Sequence, residues 1–224
     1  MRRRRHITFT CLLLMSLFGG WSAAVARAAD CLTPIAAAER HFHLPEGLLA
    51  AIALTESGQG GVPQPWALNI AGQAISAPSY QAAAALLRDA RGTPRRDVAI
   101  GCMQIHMSYH LDRIGEPELA LDPVVNVWYG AAYLDELYRR YGNWISAIGH
   151  YHASDAEAQS SYRCGVARRL LKTAPDNGRA DYFALCGAAE PYRRLAIGRD
   201  RPHWSARLME SRRIGKIIVL GADR

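Results

Sequence analysis

Between Pro45 and Gly58 the chain reads as a helix, with proline at its start and glycine as its C-cap. The apolar stripe of Leu48, Leu49 and Ile52 needs a partner surface, which commits the segment to packing inside a fold. That stripe ends in an acid. At about 3.6 residues per turn Glu56 lies one turn beyond Ile52, so its carboxyl is expected to be partly desolvated and its pKa raised. A carboxyl of that kind is a candidate general acid, whereas the ordinary helix-terminal glutamate points to water. Which of the two applies depends on what else the fold brings to it.

Two further runs place polar groups beside small residues in apolar surroundings: Gly101-Cys102-Met103-Gln104-Ile105 and Tyr151-His152-Ala153-Ser154. Glycine and alanine there let a ligand approach the backbone, and Gln104, Tyr151 and His152 supply hydrogen bonds to it.

Around these runs the pattern is mainly helical. Thr33-Pro34 caps a first helix to about Phe42, with Ile35, Ala38 and Phe42 on one face. Trp66 to Ile70 and Gln73 to Ile75, separated by Ala71-Gly72, read as a small hairpin, and Ser79 begins a helix reaching Arg91; together they form a lobe over a cleft. Asp122-Pro123 starts a long helix, Asn143 caps the next, and a last helix from about Asp155 to Lys172 puts Tyr162, Val166 and Leu170 on one face. Trp128, Tyr133 and Trp144 read as core.

Arg2 to Arg5, an apolar run from Ile7 to Phe18 and Ala26-Arg27-Ala28 have the layout of a secretory signal peptide, giving residues 1–28 as leader, 29–174 as the domain and 175–224 as a basic C-terminal extension. The extension carries one candidate strand at Lys216 to Leu220. Removing the leader takes away five arginines and no acids, which lowers the formal charge from +7 to +2. The domain therefore lacks the basic stripe that nucleic-acid binding needs. Four cysteines remain, Cys31, Cys102, Cys164 and Cys186, enough for two disulfides in an oxidising compartment.

In this order the motifs resemble the lysozyme-like lytic transglycosylases of the soluble (SLT) type, whose pattern is an E-S pair at a helix end, then G-L-M-Q, then A-Y-N-A-G. Here the positions read Glu56-Ser57, Gly101-Cys102-Met103-Gln104 and Gly149-His150-Tyr151-His152-Ala153-Ser154. Asp122 to Leu134 looks like the family's D-P-x-x-N-I-x-x-G-x-x-Y-L helix, and Pro65 to Gly72 is similar to an insertion in the branch that accompanies conjugation, secretion and pilus machines. His152 stands where the family has asparagine, and Ala99 stands where it commonly has aspartate, leaving Asp97 displaced.

The resemblance implies a lysozyme-like (α+β) helical domain with a small hairpin lobe, located in the periplasm and acting on peptidoglycan strands without cofactor or metal, with components of an envelope-spanning machine as partners. Glu56 is then the catalytic residue; Ser57, Met103, Gln104, Tyr151, His152 and Tyr162 bind substrate, the tyrosines holding the sugar's amide. Cys102, in place of the motif's leucine, is expected to be a buried free thiol, with Cys31 bridged to Cys164 or Cys186. Two other functions compete: a non-catalytic peptidoglycan-binding or assembly module, and a hydrolytic muramidase in which Asp97 orients a water. A metal site at His41-x-His43 or His150-x-His152 lacks any completing ligand at a recognisable spacing.

Overall fold

The computed structural model describes residues 29–173 together with Leu185 and Cys186. The leader and the candidate strand at 216–220 lie outside these residues. Helices α1 (Leu32–Phe42) and α2 (Leu48–Ser57) come first, followed by two short paired strands, β1 (Gly58–Gln59) and β2 (Val62–Pro63). Next come β3 (Ala67–Ile70), β4 (Gln73–Ser76), the short helix α3 (Tyr80–Ala84), β5 (Val98–Ile100) and β6 (Ile105–His106). Helix α4 (Met107–Ile114) and a 3-10 turn (Pro117–Leu121) lead to α5 (Pro123–Tyr141), α6 (Trp144–His152) and α7 (Ala156–Thr173).

Helix α2 sits at the centre. Ala51 and Ala53, off the predicted stripe, are as fully buried as Leu49 and Ile52, so the helix is enclosed on several sides rather than along one face. It starts later than expected, because Gly47 takes the left-handed conformation at its N-cap and Pro45 stays outside. Its exposed first-turn amides are satisfied from another helix: the Glu39 carboxylate of α1 accepts from the backbone N–H groups of Gly47, Leu49 and Ala50. The cap expected at Thr33-Pro34 is likewise replaced, since the Asp30 carboxylate accepts from Leu32 N and Thr33 N and the helix opens at Leu32.

The other helix starts follow the sequence closely. Asp122 accepts from Val124 N and Val125 N, Asn143 from Ser146 N, and Ser79 from Ala82 N. Helix α3, however, ends at Ala84 instead of Arg91. Beyond it the chain turns, Arg88 pairs as a β-bridge with Pro94, and its guanidinium binds Glu116 and Glu118. Trp144 is buried, and Trp128 and Tyr133 pack against the core.

The hairpin β3–β4 turns at Ala71-Gly72 as predicted, and it is one edge of a four-stranded antiparallel sheet ordered β4-β3-β5-β6. Leu68 opposes Ile75 on one side and Ile100 on the other, and Ile100 opposes Ile105. Residues 101–104, the second motif, are therefore the turn joining β5 to β6.

Among the described residues there are two disulfides, Cys31–Cys102 and Cys164–Cys186. This corrects both the expectation of a free Cys102 and that of a bridge from Cys31 to Cys164 or Cys186. The start of α1 lies against the motif turn, bringing the Cα atoms of Cys31 and Cys102 to 6.0 Å although they are 71 positions apart. Leu185 is buried and Cys186 is bonded to α7, so this piece of the C-terminal region is tied to the domain.

Candidate active site

Glu56 stands in the last turn of α2 with its side chain only 12 % exposed. Burial pushes its carboxyl up to about 7, against two opposing influences: a hydrogen bond from Tyr162 and the positive charge of Arg169. The Tyr162 hydroxyl donates to Glu56 Oε1 at 2.6 Å, and Arg169 is anchored on α7 by bonds to Leu54 O at 2.9 Å and Gly165 O at 3.2 Å. His152, the last residue of α6, has Nδ1 4.0 Å from the same Oε1. Its ring lies flat on that of Tyr162, centroids 4.3 Å apart and planes 1° from parallel.

The motif turn forms a second wall. Gly101 has φ +78°, and a Cβ there would fall 2.5 Å from Asn126 Nδ2, so both the conformation and the space require glycine. Gln104 adopts φ +47° and donates from its side chain to Ala67 O and Gly101 O, which folds the turn back onto β3. Met103 is fully buried; its backbone N–H donates to Asn126 Oδ1 at 2.8 Å and its carbonyl accepts from the Tyr151 hydroxyl at 3.1 Å. Gly130 on α5 admits this arrangement, because a Cβ at that position would lie 2.9 Å from Met103 Cβ and 3.0 Å from the Tyr151 oxygen.

Ser57 ties the two walls together. Its hydroxyl is buried, donates to Cys102 O at 2.8 Å and accepts from Gln64 N. The structure thus gathers Glu56, His152 and Tyr162 around one carboxylate oxygen and links Met103 with Tyr151. It commits the hydroxyls of Ser57, Tyr151 and Tyr162 to protein partners rather than leaving them open to a ligand. Asp97 is paired with Arg95 at 3.1 Å, and Ala99 sits within β5 opposite Asn69 and His106. Among the described residues no group of three or more His, Cys, Asp or Glu is placed to hold a metal ion.

Asn126 and Arg169 were not singled out from sequence. Asn126 is buried, accepting from Met103 N and donating to Ile100 O and Ala120 O, so every polar atom of its amide is used. Its place in the long-helix motif was a signal; the register that aims it at the turn was not readable.

A helix-end glutamate buried against tyrosine, beside a glycine-led hairpin turn on a mainly helical scaffold, is the arrangement of a lysozyme-like fold. The chain belongs to the transglycosylase SLT domain family, whose model matches residues 33–165. It is similar to the invasion protein IagB of Salmonella typhimurium strains SL1344 and LT2, at 30 % identity over 109 residues, which is 46 % of this chain and 62 % of each relative. IagB of Salmonella typhi is 33 % identical over 76 residues, 32 % of this chain and 47 % of the relative. The match therefore spans less than two thirds of these curated relatives. No solved structure gives a significant match.

Proposed function

We propose that this chain is a peptidoglycan lytic transglycosylase with Glu56 as its acid and base. The carrying observation is the buried carboxyl at the end of α2, hydrogen-bonded by Tyr162 at 2.6 Å, which burial raises to about 7 against the opposing influence of that tyrosine and of Arg169. Hydrolytic glycosidases ordinarily use two carboxylates, one to protonate the leaving oxygen and one to act as base or nucleophile. One suffices if it does both tasks in turn. Protonated Glu56 donates to the glycosidic oxygen leaving N-acetylmuramic acid; as carboxylate it takes the proton of that sugar's C6 hydroxyl, whose oxygen closes a 1,6-anhydro ring on C1. Water is not consumed.

Gln104, Tyr151 and His152 line the approach to Glu56 from the motif turn and from α6, while Ser57, Met103 and Tyr162 set the walls that place the sugars. The pairing of Asp97 with Arg95 disfavours the hydrolytic alternative, which needs that carboxylate free to orient water. The signal-peptide pattern of residues 1–28 supports a location outside the cytoplasm, where the glycan is. The hairpin insertion, together with the relatives described as invasion proteins, supports local wall opening for an envelope-spanning secretion, conjugation or pilus apparatus.

Mass analysis of products released from purified sacculi separates the readings. Anhydro ends support a transglycosylase, reducing ends a muramidase, and no product a binding module.

A further inference from the structure

We propose that His152 is a positioning residue for Glu56: its Nδ1–H supports the carboxylate that exists between the two proton transfers. The inference rests on the reading of Glu56 as acid and base, and it assigns to this chain's histidine a task different from an amide contact to the sugar.

The geometry carries it. Tyr162 is fixed to Glu56 Oε1 by its hydroxyl, and the imidazole is stacked on the Tyr162 ring with planes 1° apart. The stack leaves His152 Nδ1 facing the same Oε1 at 4.0 Å. That separation is too long for a hydrogen bond to the neutral acid, but a negative charge appearing on Oε1 draws in a nearby N–H, and such charge-assisted bonds are short and strong. A phenol and an imidazole then share one carboxylate oxygen, one supplied by α7 and the other by α6.

The charged and titratable groups around the pair come from three elements. Glu56 on α2 faces Tyr162 and Arg169 of α7 and Tyr151 of α6. His152 faces Asp155, in the turn before α7; burial lowers its pKa and Asp155 opposes that less strongly. As pH falls, Glu56, titrating at about 7, therefore takes up its proton before the imidazole, which burial holds below its ordinary range. Through the cycle the protons balance. Glu56 loses one to the glycosidic oxygen as the C1–O bond breaks and regains one from the C6 hydroxyl as the new C1–O bond forms, and His152 ends with the hydrogen it began with. When acid converts His152 to a cation, the carboxylate is held too firmly and the second transfer slows.

Two variants test this, His152→Phe, which keeps a ring against Tyr162 but has no N–H, and His152→Asn, which restores an N–H donor. Carbon NMR of protein labelled at its glutamate carboxyls follows Glu56 directly and needs no turnover. The Phe variant is expected to raise the Glu56 midpoint by about half a unit or more, and the Asn variant to bring it back toward the parent. Both are expected to lose the acidic limb of the rate of release from sacculi. A Glu56 midpoint unmoved in His152→Phe, or an acidic limb unchanged in both variants, overturns the proposal. The expected titration shifts in the variants, with no anhydro product released by the parent, sink the enzymatic reading while upholding the pairing.

Discussion

Tyr162 and Glu56, 106 positions apart, share a 2.6 Å hydrogen bond in which the phenol donates to the carboxyl oxygen. The bond opposes burial: it favours the charged form of Glu56 and keeps the midpoint from rising further. Tyr162→Phe is therefore expected to push Glu56 up, so that the acid stays protonated to higher pH and the alkaline limb of activity moves up. The rate at the optimum should fall about tenfold or more, since a hydrogen bond to an ion contributes roughly 1.5–3 kcal/mol and this one is strongest after the acid has given up its proton. A rate–pH profile of the Phe variant with an unmoved alkaline limb contradicts this role.

Burial of Glu56 has a thermodynamic consequence. A carboxyl titrating at about 7 in the fold, against the ordinary 4.5, binds its proton more tightly when folded. Stability therefore falls as pH rises from the unfolded value through the folded one and stays lower above it. Glu56→Gln removes that dependence. At pH well above neutral the Gln variant is expected to be more stable than the parent by about 3 kcal/mol, the difference shrinking to near zero in acid. Urea unfolding at acidic and alkaline pH measures it, and an equal gap at both ends refutes the linkage.

Much of this arrangement was legible in the sequence, because local chemistry marks helix starts and tight turns. Asp122-Pro123, Asn143, Ser79 and the Ala71-Gly72 turn all lie where short-range patterns placed them. Long-range partners were not legible. The Glu39 carboxylate that caps α2, the strands β5 and β6 that make the motif a hairpin turn, and the Cys31–Cys102 bond all join segments that no periodicity connects. The burial of Glu56 was foreseeable from its apolar stripe; the convergence of His152 and Tyr162 on one oxygen depends on how α6 meets α7.

Asn126 offers a direct test of the turn's support. Asn126→Ala removes the Asn126 bonds to Met103 N, Ile100 O and Ala120 O in a buried setting. At about 1–3 kcal/mol for each unsatisfied group, a loss of about 3 kcal/mol or more is expected. Asn126→Asp should do no better, because a carboxylate accepts from Met103 N but faces two carbonyl oxygens. Denaturant midpoints close to the parent's in both variants contradict the account of the turn.

The disulfides predict a pairing and an energy. Non-reducing peptide mapping should recover Cys31 with Cys102 and Cys164 with Cys186. Replacing the Cys31–Cys102 pair by serines releases a 71-residue loop in the unfolded chain, for which the chain-entropy relation gives a loss of about 4 kcal/mol. Recovery of Cys102 as a free thiol from oxidised protein overturns the assignment.

The central claim is that Glu56 cleaves the glycan without water. Digestion of sacculi in water labelled with heavy oxygen, followed by mass spectrometry of the released muropeptides, tests it most directly. The account predicts unlabelled products lighter than the hydrolytic ones by one water, released by the parent and absent with Glu56→Gln. Heavy oxygen at new reducing ends, or unlabelled anhydro products released at the parent's rate by the Gln variant, contradicts it.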